Sequence, residues 1–163
     1  MNKIKIYCAA PWTRKEEAKD ARTKLQEAGF EVTSRWLEAS GDFAKDGYDS
    51  DEAYFEAQAI HDVQDILNAN VLVMLNLEPS EGKMFELGLA LGLNRPSILV
   101  GEKTHTFHYL PFPKFPTLTE AIELINKWKS EYEKAQVMAA VTGDSEGLPI
   151  IEGEIILTDS NGK

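Results

Sequence analysis

The sequence has a single cysteine, Cys8, and no apolar run near the ~20 residues that a membrane-spanning helix needs. One cysteine cannot form a disulfide within the chain. The N-terminal residues also lack the long apolar segment of a secretory signal peptide. These absences predict a protein of the reducing cytoplasm with no membrane partner.

Positive charge is also scarce, because 17 Lys and Arg residues stand against 27 Asp and Glu residues, for a net charge of −10. Long nucleic acid is bound non-specifically through a basic surface, so the composition argues against that partner. A few local donors could still hold a small anionic ligand. The three histidines lack metal-ligand spacing and Cys8 has no evident histidine partner, so neither a metal site nor a thiol nucleophile is expected.

Strand and helix patterns alternate along the chain. The predicted strands cover residues 3–9, 30–36, 71–75 and 96–101, and the predicted helices cover 13–28, 51–68, 83–93 and 118–141. Two of the strands are short, continuous apolar runs, which are typical of a parallel sheet covered by helices on both faces. We therefore predict one α/β domain over residues 1–141, a Rossmann- or flavodoxin-like sandwich. Its ligand should lie at the carboxyl ends of the strands.

Local signals predict the helix starts and the irregular segments. Thr13 with Glu16, and Thr117 with Glu120, have the spacing of capping boxes. Residues 38–50 are polar and are predicted to form a loop, and the aromatic, proline-rich residues 102–116 a loop packed on the core. Residues 142–163 form a C-terminal extension. Within it, residues 148–157 could be an edge strand or hairpin that pairs with a neighbouring subunit, and the last residues could equally be a loose tail.

Glu86 is the residue that folding alone explains least well. Its helix is apolar almost all round and follows a buried strand, and Glu86 shares a stripe with Leu89, Ala90 and Leu93. An ionised carboxylate facing the core is costly unless it is paired. Either Glu86 is kept for chemistry, or it is a first-turn residue stabilised by the helix dipole. Spacing alone does not decide between the two.

A second carboxylate, Asp62, shows the same anomaly. It falls on one helical face with Phe55, Ala59 and Ile66, whereas Asp65 falls on the polar face. Two carboxylates of unlike burial could serve as nucleophile and acid/base in glycosyl transfer. The pattern taken alone favours a simpler interpretation, in which Asp62 accepts a hydrogen bond from a nearby loop amide.

Possible ligand contacts surround these carboxylates. The turn Ser80-Glu81-Gly82 offers backbone N–H groups at a helix N-terminus, suited to an anion or a sugar hydroxyl, although it lacks the glycines of a P-loop. Lys83 and Arg14 could add positive charge, but a solvated surface cation is the better interpretation of Lys83. Trp12 and Trp36 fall at predicted strand ends, where an aromatic ring could stack on a planar base.

Taken in order, these segments resemble the nucleoside 2-deoxyribosyltransferase family. The resemblance is carried by Lys5–Pro11, by Ser34–Leu37, by Asp62 with Ile66, Ala69 and Asn70, by Ser80–Ala90 with Glu86, and by Phe107–Pro111. It runs from about Lys3 to Trp128 and leaves the C-terminal extension uncovered. Ala10 stands where many members have glycine.

The resemblance implies a mechanism. Glu86 would attack the anomeric carbon of a 2-deoxyribosyl group and expel the base, and a second base or water would then displace Glu86 with net retention. Asp62 would assist proton transfer, and Tyr7 would orient the Glu86 carboxylate. No metal or organic cofactor would be needed. The protein would be a homo-oligomer acting on small nucleosides or nucleotides. The implied substrate contacts are Ala10, Pro11, Trp12, Arg14, Trp36, Ser80, Gly82 and Met84.

Two other functions stay open. Ser80 resembles the deoxynucleoside 5′-monophosphate N-glycosidase branch of the family, whose loop receives a phosphate and whose acceptor is water. The loop over residues 9–16 lacks the serine- and glycine-rich phosphate grip of that branch, although Thr13 and Arg14 could substitute for it. The other function is that of a catalytically silent nucleotide-binding module on the same fold.

Overall fold

Five parallel strands form one sheet in the order β2-β1-β3-β4-β5 in the computed structural model, which describes residues 3–142. The strands are β1 (Lys5–Ala9), β2 (Glu31–Val32), β3 (Val71–Leu75), β4 (Ser97–Val100) and β5 (Lys114–Phe115). In the central pair, Tyr7 of β1 lies opposite Leu72 of β3, and Ala9 lies opposite Met74. The α/β parallel-sheet fold predicted from the alternating pattern is confirmed.

Four helices pack on this sheet: α1 (Lys15–Glu27), α2 (Asp51–Asn68), α3 (Glu81–Gly92) and α4 (Leu118–Thr142). Helices α2 and α3 contact each other, and both contact β1. The observed bounds of α2 and β3 equal the predicted ones. At the start of α4, the Thr117 amide donates to Glu120 Oε2 at 3.1 Å and the Glu120 amide to Thr117 Oγ1 at 3.4 Å. The second capping box is therefore confirmed.

The predicted strand over residues 30–36 is mostly wrong. Only Glu31–Val32 pairs with β1. Beyond it, Ser34 Oγ accepts a hydrogen bond from the Cys8 amide at 2.6 Å, so a side chain replaces the backbone partner that a longer strand would provide. The chain then leaves the sheet in a 3-10 turn, Arg35–Leu37. This early exit places Trp36 next to the carboxyl end of β1.

The capping box predicted at Thr13 and Glu16 is also wrong. The chain first makes a 3-10 turn, Trp12–Arg14, so Arg14 becomes the N-cap of α1 and forms no side-chain cap bond in the described structure. The Thr13 hydroxyl instead donates to the Glu78 carboxylate. A contact between two loops at the carboxyl edge of the sheet has taken the place of the local cap.

The predicted buried face of α2 is correct only near its C-terminus. Ile66 is buried, but Phe55 is 65% exposed and Ala59 is also exposed. An 18-residue helix rises about 27 Å, whereas a five-residue strand spans about 17 Å. The helix is thus longer than the strands it packs on, and near its N-terminus the buried side chain is Tyr54, which lies outside the predicted face.

The loop over residues 102–116 is more structured than predicted. It contains a 3-10 turn, Thr106–Tyr109, and the short strand β5, which pairs with β4. His108 and Phe112 pack on the core as expected, but Phe107 and Tyr109 are exposed.

Between residues 3 and 142, no helix is long and apolar enough to cross a membrane. The predicted edge strand at residues 148–157 lies outside the described residues.

Candidate active site

A hydrogen bond between Tyr7 and Glu86 lies at the centre of the candidate site. Tyr7 is fully buried in β1, and its hydroxyl donates to Glu86 Oε1 at 2.6 Å. That length is typical of a charge-assisted bond to a carboxylate. Glu86 is the sixth residue of α3, so it lies beyond the first turn and the helix-dipole interpretation does not hold. Its other oxygen, Oε2, is buried without a hydrogen-bond partner among the described residues.

Asp62, on α2, lies close enough to the Tyr7 hydroxyl for its charge to act on it. It is half-buried, and the charges of Asp62 and Glu86 both act on Tyr7. The Tyr7 hydroxyl has one proton, and the structure gives it to Glu86. Asp62 Oδ1 is buried and unpaired within the described chain, so the loop-amide interpretation of this oxygen is not supported. Two carboxylates therefore act on one phenol, and each has a buried oxygen with no hydrogen-bond partner among residues 3–142.

The burial of this group moves both carboxyl pKa values toward neutrality. Desolvation raises the pKa of Glu86 to about 7, against the Tyr7 hydrogen bond, which lowers it, while the Asp62 charge raises it further. Desolvation likewise raises the pKa of Asp62 to about 6. The pKa of Tyr7 is raised well above its usual range by burial and by the two carboxylates. The carboxylate pair can thus hold or release a proton near neutral pH.

The carboxyl end of β1 is tied to the 3-10 turn at Arg35–Leu37. Trp36 Nε1 donates to the Cys8 carbonyl at 3.0 Å, and Ser34 Oγ donates to the same carbonyl at 3.2 Å. Trp36 is consequently buried, with its indole N–H already engaged.

The Cys8 side chain is enclosed in the core, and burial raises the pKa of its thiol to about 12, so it is not a nucleophile at neutral pH.

Trp12 is an exposed aromatic ring beside Trp36. It is 47% exposed, and its ring centroid lies 6.2 Å from that of Trp36. Lys15 Nζ lies 4.6 Å from the Trp12 ring centroid. Gly41 has a φ of +82° and passes so close that a Cβ there would be 3.0 Å from Trp12 Cζ2. The loop over residues 38–50 therefore rests against Trp12, and glycine is required at the contact.

Arg14 is held by acidic neighbours. Its Nη2 lies 2.6 Å from Glu17 Oε1, and its Nη1 lies 3.9 Å from Glu78 Oε2. Glu78 also accepts the hydrogen bond from Thr13. The two side chains that could replace a phosphate grip are thus engaged with carboxylates.

The remaining predicted contacts lie in two loops and one helix. Ala10 and Pro11 are buried directly after β1. Ser80 is the N-cap of α3, and within residues 3–142 its hydroxyl makes no cap bond. Gly82 is exposed in the first turn, so the α3 amides at this end are accessible. Met84 is half-buried and packs against the core, and its geometry gives no support to a substrate contact.

Two charged residues in this region were predicted wrongly. Lys83 was expected to be a solvated cation but is 2% exposed, and its ammonium donates to Asn76 Oδ1 and to the Glu78 carbonyl. Asp65 was expected on the polar face but is buried in an ion pair with Arg35. The only sequence signals were a lysine on an apolar helix one turn before Glu86 and an aspartate one turn after Asp62.

A family model for nucleoside 2-deoxyribosyltransferase matches residues 6–150, which is most of the sequence. The chain therefore belongs to the nucleoside 2-deoxyribosyltransferase family, as its motifs suggested. No protein of curated function matches the sequence.

Solved structures share the fold at low sequence identity. A conserved protein from Enterococcus faecalis is 13% identical, with a TM-score of 0.57, covering 77% of this chain and 99% of its own. A 2-deoxyribosyltransferase from Bacillus psychrosaccharolyticus is 17% identical, with a TM-score of 0.50 and coverage of 72% and 90%. A CMP N-glycosidase from Clostridium botulinum is 15% identical, with a TM-score of 0.49 and coverage of 75% and 98%. At these identities the likeness concerns the fold alone.

Proposed function

We propose that the protein transfers 2-deoxyribosyl groups between nucleobases by a retaining double displacement with Glu86 as nucleophile. The observation that carries the proposal is the Tyr7–Glu86 hydrogen bond, together with the Asp62 carboxylate, whose charge acts on the same Tyr7 hydroxyl. Glu86 Oε2 and Asp62 Oδ1 are buried without partners in the described part of the chain, as expected for atoms whose partner is a substrate.

The reaction has two steps. A Glu86 oxygen attacks C1′ of the deoxynucleoside, the C1′–N bond breaks, and its electron pair leaves on the base while Asp62 gives that base a proton. The acceptor base then attacks C1′ from the other side and returns a proton to Asp62, as the C1′–O bond to Glu86 breaks. Two inversions give net retention.

Tyr7 has a positioning role in this scheme. Its hydroxyl holds Glu86 Oε1, which leaves Oε2 as the attacking oxygen. Because the phenol pKa is raised, Tyr7 remains a donor throughout the working pH range. A carboxylate that is already held in position needs little reorganisation before it attacks, and this raises the reaction rate.

The proposed substrate contacts divide between the base and the sugar. The exposed Trp12 ring offers a surface on which a base could stack, next to Ala10, Pro11 and Trp36. The uncapped Ser80 hydroxyl and the α3 amides near Gly82 could hold a sugar hydroxyl. Met84 remains part of this proposed set on sequence resemblance alone.

Charge around the β1–α1 loop favours neutral nucleosides as substrates. Arg14 is paired with Glu17 and lies near Glu78, and Thr13 donates to Glu78. A 5′-phosphate there would have to displace carboxylates, which repel it. The uncapped Ser80 hydroxyl at the α3 N-terminus favours the second candidate function, in which a nucleoside 5′-monophosphate is hydrolysed by the same Glu86 chemistry.

One chromatographic experiment tests these functions. The protein is incubated with deoxyinosine or thymidine plus free adenine or cytosine, and separately with deoxynucleoside monophosphates alone. A new deoxynucleoside, absent with Glu86→Ala, supports transfer. Free base and deoxyribose 5-phosphate from the monophosphates would move the assignment to the N-glycosidase. If neither occurs while Glu86→Ala still binds nucleosides as the wild type does, the protein is a binding module.

We also propose that the protein is a homo-oligomer. Helix α2 exposes Phe55 and Ile60, and α3 exposes Phe85, which are large apolar side chains of the kind that subunit contacts cover. Light scattering after size-exclusion chromatography should give a mass of two or more chains. Phe55→Glu should lower that mass, and a monomeric wild type would refute the proposal.

A further inference from the structure

An ion pair between Arg35 and Asp65 joins α2, the helix that carries the candidate acid/base Asp62, to the 3-10 turn Arg35–Leu37. Asp65 lies on α2, one turn after Asp62, and its side chain is 6% exposed. Its Oδ2 accepts from the Arg35 amide at 2.8 Å, and its Oδ1 from Arg35 Nε at 2.7 Å. A carboxylate held by a guanidinium and a backbone amide has a fixed position.

Further bonds extend this contact on the α2 side. Arg35 Nη2 donates to the His61 carbonyl at 3.3 Å and to Gln64 Oε1 at 3.1 Å. Thr33 Oγ1 donates to the Asp65 carbonyl at 3.0 Å. Residues 33–35 are thus bonded to the helical turn that contains Asp62.

The same segment is bonded on its other side to the strand that carries Tyr7. Ser34 accepts from the Cys8 amide and Trp36 donates to the Cys8 carbonyl. A continuous set of hydrogen bonds therefore runs from Asp62's helical turn, through residues 33–36, to the residue after Tyr7. Among the ion pairs formed between residues 3 and 134, this one alone has a buried carboxylate, since Asp65 is 6% exposed while its partner Arg35 is 47% exposed.

We propose that Arg35 and Asp65 are positioning residues that fix the Asp62 carboxyl relative to Tyr7 and Glu86. The proposal deepens, and rests on, the proposed role of Asp62 in the transfer reaction. Neither residue is a catalytic residue, because neither touches the reacting carboxylates; they act through the helical turn of Asp62.

The charges give this pair an effect that a purely structural contact would lack. Asp62 is faced by Tyr7 from β1, by Glu86 from α3, by Arg35 from the 3-10 turn and by Asp65 from its own helix. Asp65 raises the pKa of Asp62, whereas Arg35 lowers it. Removing one member should therefore move the Asp62 titration in the opposite direction from removing the other.

The test uses Asp65→Asn, Arg35→Gln and the double variant in the full chain, with Glu31→Gln as a matched control. Glu31 forms an exposed pair with Lys5 at 3.9 Å and lies away from the site. We expect kcat to fall about tenfold or more in each single variant, because the Asp62 carboxyl is displaced, with little change in KM. The control should keep the wild-type kcat.

The Asp62 titration is followed separately by carbon-13 NMR of labelled aspartate, assigned with Asp62→Asn. The midpoint should move down in Asp65→Asn, up in Arg35→Gln, and back toward the wild type in the double variant. Midpoints that stay unchanged, or that move the same way in both variants as the melting temperature falls, would overturn the proposal. The NMR titration can be measured on a protein that shows no turnover. An inactive wild-type protein would therefore refute the proposed function, and the titration midpoints would still decide the role of Arg35 and Asp65.

Discussion

Tyr7 and Glu86 lie 79 positions apart in the sequence and are joined by a 2.6 Å hydrogen bond in the buried centre of the fold. The bond satisfies one carboxylate oxygen and leaves the other unpaired within the described structure. A buried carboxylate with an unpaired oxygen costs stability. Its use as a nucleophile would explain why the protein keeps it.

Replacing Tyr7 with phenylalanine should slow the reaction with little loss of fold. Removing the hydrogen bond releases Glu86 and should lower kcat about tenfold to a hundredfold. The Tyr7 bond lowers the pKa of Glu86, so its loss should move the acid limb of the pH–rate profile to higher pH. Tyr109→Phe is the control, since that tyrosine is exposed. A profile unmoved by Tyr7→Phe would contradict this role.

Asp62→Asn should slow base departure most for bases that leave poorly. General acid catalysis contributes about a hundredfold to ten-thousandfold, so kcat with an ordinary deoxynucleoside should fall by that order. A deoxynucleoside whose base leaves easily should lose much less. Steady-state rates on a series of leaving bases measure this. An equal loss for every base would mean that Asp62 does not protonate the leaving group.

Glu86→Gln should stabilise the protein at alkaline pH. The pKa of Glu86 is raised to about 7 in the folded chain, so the native state holds the proton more tightly than the unfolded state does. Wild-type stability from this group is therefore present at low pH and is lost as the pH rises toward the folded pKa. At pH 8 the variant should gain on the order of 2 kcal/mol over the wild type, and much less at pH 4.

Urea unfolding of both proteins at the two pH values measures the difference. The control is Glu81→Gln, because Glu81 is exposed on the same helix. A gain that is equal at pH 4 and pH 8 would show that it does not come from ionisation of Glu86.

Lys83→Ala should destabilise the fold. The Lys83 ammonium, which is buried, donates to Asn76 Oδ1 and the Glu78 carbonyl, so truncation leaves two acceptors with one partner fewer and opens space behind α3. A loss of about 2 kcal/mol in unfolding free energy follows. Lys45→Ala, at an exposed lysine, should change it by less than about 0.5 kcal/mol. Urea midpoints compare the two, and equal midpoints would contradict the role of Lys83.

The sequence predicted the structure well where the pattern depends on a single helix or strand. Helix α2 and strand β3 were predicted to the residue; the structure shows Ser50 as the N-cap of α2, with its side chain accepting from the Ala53 amide, and β3 is wholly apolar. Glu86 was identified because a carboxylate on an apolar stripe conflicts with burial. Strand β5 was missed because its two residues are too few to show periodicity.

The buried charges could not be predicted in the same way. Asp65 resembles a solvent-facing residue until Arg35, 30 positions away, is brought beside it by the short β2. Lys83 likewise depends on Asn76 at the end of β3. In both cases the compensating partner is supplied by tertiary structure, which helical spacing does not encode.

The central claim is that Glu86 forms a covalent bond to the deoxyribosyl group. The most direct test mixes the protein with excess deoxynucleoside, without acceptor base, quenches in acid within milliseconds, and measures the mass of the intact chain and its peptides. We predict a population heavier by one deoxyribosyl group, with the added mass on the peptide containing Glu86 and absent in Glu86→Ala. Turnover with no labelled enzyme, or with the label on another residue, would contradict the account.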